Sequence, residues 1–175
     1  MILTAKELEH MKEFQGMSPD DIETKLRAIE DMIRSYTNNN FQVRSMRIES
    51  PVAMGLVCGK SPYFRPGDTL QISQSGVNDG LYVIMEIRED GMLLDGELYD
   101  CPNVVVTKVV YPADVKKGVT DLMIWEKENR QKVGIKTESL SRHSVTYYDQ
   151  DANNQVMGYP ISLLGFLKPY MKARF

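Results

Sequence analysis

The sequence predicts an α+β fold: a small α-helical bundle, residues 1–59 and 112–175, with a small antiparallel β-barrel-like module, residues 60–111, inserted into it. Three observations carry this. Apolar residues from Ile22 to Tyr36 recur at helical spacing, short alternating runs between turn formers fill Lys60 to Tyr111, and helical spacing returns from Pro112. A chain of 175 residues is long enough for one core plus a small inserted module.

Two helices open the chain. Thr4-Ala5-Lys6-Glu7 fits a capping box, with Thr4 as N-cap and Glu7 returning to it. Leu8 and Met11 would share a face, and Gly16 would stop this helix. Ser18-Pro19-Asp20-Asp21 is a second start signal: a hydroxyl cap, a proline suited to the first turn, and two acids that complement the positive end of the helix dipole. Ile22, Leu26, Ile29, Ile33 and Tyr36 then form an amphipathic stripe, broken at Asn38-Asn39-Asn40. From Phe41 to Ile48 the period changes to a rough alternation, expected as a strand or extended arm, with loop signals at Ser50-Pro51 and from Gly55 to Pro62.

In the module, Pro66-Gly67-Asp68 is a turn, and Leu70 and Ile72 alternate with Thr69, Gln71 and Ser73. Leu81, Val83, Met85 and Ile87 are expected to line one face of a strand. Asp90-Gly91 is a hairpin signal, and Asn103 to Val110 is a β-branched run expected to be covered on both faces. Short strands with tight turns fit a small barrel. Beyond Pro112, Val115, Val119, Leu122 and Trp125 space as a helix, with Gly134 as C-cap. A hydroxyl-rich segment runs from Thr137 to Tyr148, and Gly158-Tyr159-Pro160 opens a last helix carrying Ile161, Leu164, Leu167 and Tyr170/Met171 on one face.

Composition narrows the function classes. Apolar residues are 42% and charged residues 26%, close to an ordinary folded domain. No apolar run approaches the ~20 residues of a membrane helix, so no membrane partner is expected. The segment Met1 to Glu7 lacks the basic head and apolar run of a secretory signal. Cys58 and Cys101 could form one bridge but show no framework, and reduced, packed thiols are expected. Charge is uneven: residues 1–31 and 60–111 each hold eight acids and four bases, while 112–175 hold seven acids and ten bases. This reads either as solvated faces or as an oligomer that lays acidic surfaces against basic ones.

No catalytic constellation is present among the sequence motifs: no phosphate-binding loop, dinucleotide fingerprint, nucleophile elbow or paired zinc histidines. His10 and His143 stand alone, and Cys58 between Gly55 and Gly59 has no evident partner. Asp90, Asp95 and Asp100 lack calcium-loop spacing and read as turn residues. Tyr63, Phe64, Tyr82, Tyr99 and Tyr111 could stack bases, but few bases accompany them and core packing is the expectation. No enzyme, cofactor or metal is expected.

Three segments in order carry a resemblance. They are the capped N-terminal helix pair, Gly134-Ile135-Lys136-Thr137-Glu138-Ser139-Leu140-Ser141-Arg142-His143-Ser144-Val145-Thr146-Tyr147, and Gly158-Tyr159-Pro160 leading to the basic end Leu167-Lys168-Pro169-Tyr170-Met171-Lys172-Ala173-Arg174-Phe175. Together they resemble the head–tail connector proteins (adaptors, or head-completion proteins) of long-tailed bacteriophages and prophages. The middle segment is similar to that family's G-I-x-S-E-x-x-G-x-x-S-V-T-Y pattern, with Thr137 and Ser141 replacing its Ser and Gly. Gly67-Asp68, Asn78-Asp79-Gly80-Leu81-Tyr82 and Val109-Val110-Tyr111-Pro112 are similar to the inserted segment of a subset of the family.

The resemblance implies a structural subunit of the virion neck, assembled in the cytoplasm of a bacterial host. Its copies would form a ring, usually a dodecamer, under the portal protein, extending the DNA channel and receiving a stopper or tail-completion protein. DNA would pass without sequence-specific binding, helped by like-charge repulsion if the acids of residues 1–31 face the channel. Tyr170, Met171, Lys172, Arg174 and Phe175 would bind the portal, as aromatic and basic residues suit interface anchors. Glu138, Ser139, Ser144, Thr146 and Tyr148 would contribute subunit contacts, by strand addition to a neighbour. The plainer alternative is that both segments cover the subunit's own core. Two other readings stay open: a different neck component, or a β-barrel module that binds peptide or single-stranded nucleic acid.

Overall fold

The computed structural model describes residues 1–129, 137–140, 143–146 and 155–173. The fold is α+β and divides into two units. One comprises Met1 with Asn39–Tyr111, and the other comprises Ile2–Asn38 with the chain from Pro112 onward. The inserted unit therefore starts about twenty residues before the position read from the sequence. The stretch expected as an arm and loop is β1 (Gln42–Ala53) and β2 (Leu56–Val57), joined by a tight turn. Alternation here was interrupted by bulges, with register shifts between Gln42 and Arg47 and between Ser50 and Val52, which hid a long strand.

The inserted unit is a closed antiparallel barrel. With β3 (Thr69–Ser73), β4 (Gly80–Ile87), β5 (Met92–Leu94) and β6 (Cys101–Val109), the strand order is β1-β2-β5-β4-β3-β6, and β6 closes back on β1. Closure leaves no free sheet edge. Inside lie Val57, Phe64, Leu70, Ile72, Ile84, Met92, Val104 and Val106, each at most 1% exposed. In β6, Val104 to Thr107 are all buried, as a strand covered on both faces requires.

The phase of β4 differs from the sequence expectation. Tyr82 and Ile84 point into the barrel, Met85 is 59% exposed, and a bulge between Ile84 and Glu86 then turns Ile87 inward. Leu81, Val83, Met85 and Ile87 thus do not line one face, because a bulge inverts the alternation partway along the strand.

In the helical unit, α1 (Ala5–Glu9) is shorter than expected, and Met11 falls outside it, ahead of a separate 3-10 turn at Lys12–Phe14 that buries Phe14. The Glu7 carboxylate accepts from the Thr4 N–H at 2.7 Å and from its hydroxyl at 3.0 Å. α2 (Pro19–Thr37) begins as read: Ser18 Oγ accepts from the Asp21 N–H at 3.1 Å, and Ile22, Leu26, Ile29 and Ile33 are buried. Asn38 ends it in the left-handed conformation, φ 49°. α3 (Ala113–Asn129) buries Val115, Val119 and Leu122. β7 (Thr137–Leu140) pairs with β8 (His143–Thr146), and β9 (Gln155–Val156) with β10 (Tyr159–Pro160).

The last helix is a 3-10 helix, Ile161–Tyr170. Leu164 and Leu167 are buried on its inner side, while Ile161 is 40% exposed. Residues 161, 164, 167 and 170 are three apart, the period of a 3-10 helix, so the same spacing that announced a helix also carried its type.

Candidate interaction surfaces

Antiparallel closure sorts the barrel's connections onto two rims. The chain enters at Asn39–Phe41 and leaves at Val110–Tyr111 on one rim, where Val110 N–H bonds Phe41 C=O at 3.0 Å and the two rings Phe41 and Tyr111 lie 4.9 Å apart. The β2–β3 loop and the β4–β5 turn share that rim. The opposite rim carries the β1–β2 turn (54–55), the β3–β4 loop (74–79) and the β5–β6 loop (95–100).

The three loops of this opposite rim are tied together. Asn78, 1% exposed, donates to the Tyr99 C=O at 2.8 Å and accepts from the Tyr99 N–H at 2.9 Å. Asp100 accepts from the Met54 N–H at 2.9 Å, and Asp95 accepts from the Val83 N–H at 2.8 Å. Asp79 accepts from the Ser75 N–H at 2.8 Å, the Ser75 hydroxyl at 2.9 Å and the Gly76 N–H at 3.2 Å. The Ser75 bonds, backbone first and hydroxyl second, hold the Asp79 carboxyl below the usual carboxylate range. Tyr82 donates to the Asn78 C=O at 3.1 Å, and its hydroxyl is pushed above the usual phenol range by burial, then by Asp95 and Asp79.

On this framework stand three exposed apolar side chains: Met54 at 85%, Val77 at 69% and Tyr99 at 59%. Tyr99 and, on the outside of the barrel, Tyr63 thus depart from the expected core packing of the module's aromatics, whereas Phe64 and Tyr111 are buried. The rim is also acidic. Its loops hold Asp79, Asp95, Glu97 and Asp100 and no lysine or arginine. The other charges of residues 60–111 balance, with Lys60, Arg65, Arg88 and Lys108 against Asp68, Glu86, Glu89 and Asp90. Several of these pair directly: Lys108 Nζ lies 2.5 Å from Asp68 Oδ2, and Arg88 lies 2.7 Å from Glu86.

The C-terminal run is fixed to its own unit through the backbone. Lys172 N–H donates to Thr37 C=O at 2.8 Å, and Asn38 Nδ2 donates to Ala173 C=O at 2.9 Å. The Tyr170 hydroxyl reaches both oxygens of Asp114 at 2.8 Å, and this hydrogen bond holds it above the usual phenol range. Met171 is 51% exposed, and Lys168 and Lys172 are exposed. Of the residues expected to bind a portal, Tyr170 therefore has an intramolecular partner, Met171 and Lys172 face outward, and Arg174 and Phe175 lie outside the described residues.

Of the residues expected at subunit contacts, Glu138, Ser139, Ser144 and Thr146 lie in the β7–β8 hairpin, with Ser139 opposite Ser144 and Thr137 opposite Thr146; Tyr148 lies outside the described residues. Gly134 also lies outside them. A groove of about 220 Å³ lies among Lys25, Ala28, Met32, Glu126, Met157 and Tyr159. Its polar groups engage one another: Lys25 Nζ is 3.3 Å from Glu126 Oε1, and the Tyr159 hydroxyl donates to Glu126 Oε2.

Cys58 and Cys101 are free thiols, both half-buried. Among the described residues, no group of three or more histidine, cysteine or acidic side chains could hold a metal ion, and no helix is long and apolar enough to cross a membrane. The three-loop rim was missed in the sequence, where Tyr99 read as core and its acids as scattered turn residues; barrel topology, which brings the three loops together, was the missing information. No family model matches the chain, and no curated protein matches it.

Proposed function

We propose that this chain is a structural subunit of the phage neck, a connector whose copies form a ring under the portal, join capsid to tail and extend the DNA channel. The observation that supports this best is the division of the chain into two separately built units, each of which presents exposed apolar and charged side chains. A closed barrel ends in an acidic, apolar-tipped rim, and a helical unit carries a backbone-anchored basic terminus with Lys168, Met171 and Lys172 outward. Neither surface has the buried, convergent polar groups of a catalytic pocket. Both have the mixture of apolar anchors and charge that suits assembly contacts. Partners in this reading are further copies of the chain, the portal protein and a stopper or tail-completion protein.

The test is a pull-down of the purified full chain against the portal protein and, separately, against the stopper encoded in the same gene neighbourhood. Retention by portal is the expected result. Retention by the stopper with none by portal would place the chain elsewhere in the neck.

A further inference from the structure

We infer that the Met54 tip of the barrel rim is a knob that seats in the groove among Lys25, Ala28, Met32, Glu126, Met157 and Tyr159 of a second copy of this chain, so that copies join head to tail. The inference rests on the ring reading above and names one subunit contact of that ring. It uses none of the residues expected at the portal or in the β7–β8 hairpin contact.

Met54 is placed against the preferences of its own fold. Met54-Gly55 is the two-residue turn that joins β1 to β2, with Ala53 opposite Leu56, and both residues have positive φ, 52° and 75°. Such a turn favours asparagine, aspartate or glycine at its first position, and a methionine there is strained. The Met54 side chain is also 85% exposed, so its own unit gains almost no burial from it. Val77 and Tyr99 stand outward on the same rim, whose loops are already hydrogen-bonded in place, so little order is lost when a partner covers them. A strained, exposed apolar side chain on a rigid frame is suited to anchoring in another molecule.

The groove is the complement of that tip. Met157-Gly158 is a second turn of the same kind, φ 50° and 82°, with Val156 opposite Tyr159, and its methionine lines the groove. Met157, Met32, Ala28 and the Tyr159 ring give the groove of about 220 Å³ an apolar lining that an unbranched thioether side chain can enter and that flexible methionines can fit around it. Both Glu126 oxygens are engaged, one by Lys25 at 3.3 Å and the other by the Tyr159 hydroxyl. Lys25, 38% exposed, gives Glu126 one of its three ammonium donors and has others to offer. Beside Met54, Asp100 accepts the Met54 N–H with one oxygen at 2.9 Å and leaves the second open, so knob and groove each carry one half of an ion pair. No base lies in the rim loops, and the bases of β1, Arg44 and Arg47, fall in the half of that strand remote from the rim, Arg47 on Thr107 at 3.1 Å. Two rims would therefore repel each other, which disfavours a symmetric pair. Tip and groove are different surfaces, and such a heterologous contact generates a ring when its rotation closes.

Two variants of the full-length chain test this, read as mass by light scattering at increasing concentration, with thermal melting as the folding control. Met54→Asn removes the knob and suits the turn. It should weaken self-association about tenfold, the effect of losing one anchor, while melting no lower than wild type. A methionine needed only by its own fold would give the opposite pair of results. Ala28→Phe fills the groove from an exposed helix position and should weaken association to the same extent. Each variant keeps the half that the other lacks. An equimolar mixture should therefore form a dimer that cannot grow, at concentrations where each variant alone is monomeric. Lys25→Met should weaken association and flatten its dependence on salt.

Self-association that ignores both variants would overturn the inference, as would a mixture that stays monomeric or a wild-type chain that never associates, alone or with portal. The ring reading fails separately. Variants that associate like wild type and still join the portal would leave that reading standing without this contact. A chain that self-associates through tip and groove yet never joins the portal would keep the contact and lose the neck assignment.

Discussion

The ring of Phe166, on the C-terminal 3-10 helix, occupies the space in which a Cβ on Gly118 of α3 would have to sit: its nearest atoms lie 2.4 Å from that position. Gly118 is buried in mid-helix, where glycine is less favourable than alanine by ~1 kcal/mol. The cost is accepted for close approach of the two elements. Gly118→Ala is therefore expected to destabilise by about 1–3 kcal/mol despite its better helix propensity. Phe166→Leu in that background should give back part of the loss, a non-additive pair in urea unfolding. A stabilised Gly118→Ala variant would show that the 3-10 helix does not pack on α3 as described.

Asn78 joins two loops of the acidic rim through both faces of its amide. Asn78→Ala leaves the Tyr99 N–H and C=O without their partner and should cost about 1–3 kcal/mol. Asn78→Asp keeps the acceptor and loses the donor, so it should also destabilise. Chemical unfolding of the full chain reads both, and hydrogen exchange at the Tyr99 amide should rise in the alanine variant.

The depressed Asp79 carboxyl makes the rim sensitive to acid. Its folded value lies below its unfolded one, so its contribution is present above the unfolded value near 3.9 and is lost as pH falls through the folded value. Wild type and Asp79→Asn should differ in stability at pH 6 and converge in strong acid. A gap that is constant with pH would remove the charge from the explanation.

Tyr170 works at the other end of the scale. Its hydroxyl is held protonated by Asp114, so its folded value lies above the unfolded one near 10. The contribution is complete below that value and disappears as pH rises through the folded one. Tyr170→Phe should lower the melting temperature slightly at neutral pH, and the difference should vanish in alkali. Alkaline absorbance titration should show two tyrosines, Tyr82 and Tyr170, ionising late in wild type and only Tyr82 doing so in Asp114→Ala.

Much of the architecture was legible because it rests on local chemistry. Ser18, the Ile22-to-Ile33 stripe and the Asn38 stop define α2 without outside help, and Leu70 with Ile72 fixes the inner face of β3. What failed did so where distant chain intervenes. The bulge in β4 exchanged the faces of Leu81 and Val83 for those of Tyr82 and Ile84, and no residue in that strand announces it. Gly91 teaches the same lesson in reverse. Asp90-Gly91 is a hairpin signal, yet Gly91 lies outside the positive-φ glycines; a Cβ there would meet the Val57 carbonyl oxygen at 2.5 Å. The glycine is needed because β2 passes close by, beside the Val57–Met92 pairing. The acidic rim had no local signature at all, since its four acids and three apolar tips come from three separated loops.

Gly91→Ala follows from that contact. The obstacle is backbone, which cannot rotate aside, so a loss of about 1–3 kcal/mol is expected along with loosened β2–β5 pairing. Hydrogen exchange at Val57 and Met92 reports the pairing directly. Unchanged protection there would mean that the glycine was serving only the turn.

The neck assignment stands or falls most directly on mass. Light scattering of the purified full chain, alone and mixed with the portal protein from the same gene neighbourhood, should show a ring-sized species or a ring–portal complex. A monomer under both conditions, over the whole concentration range, would contradict it.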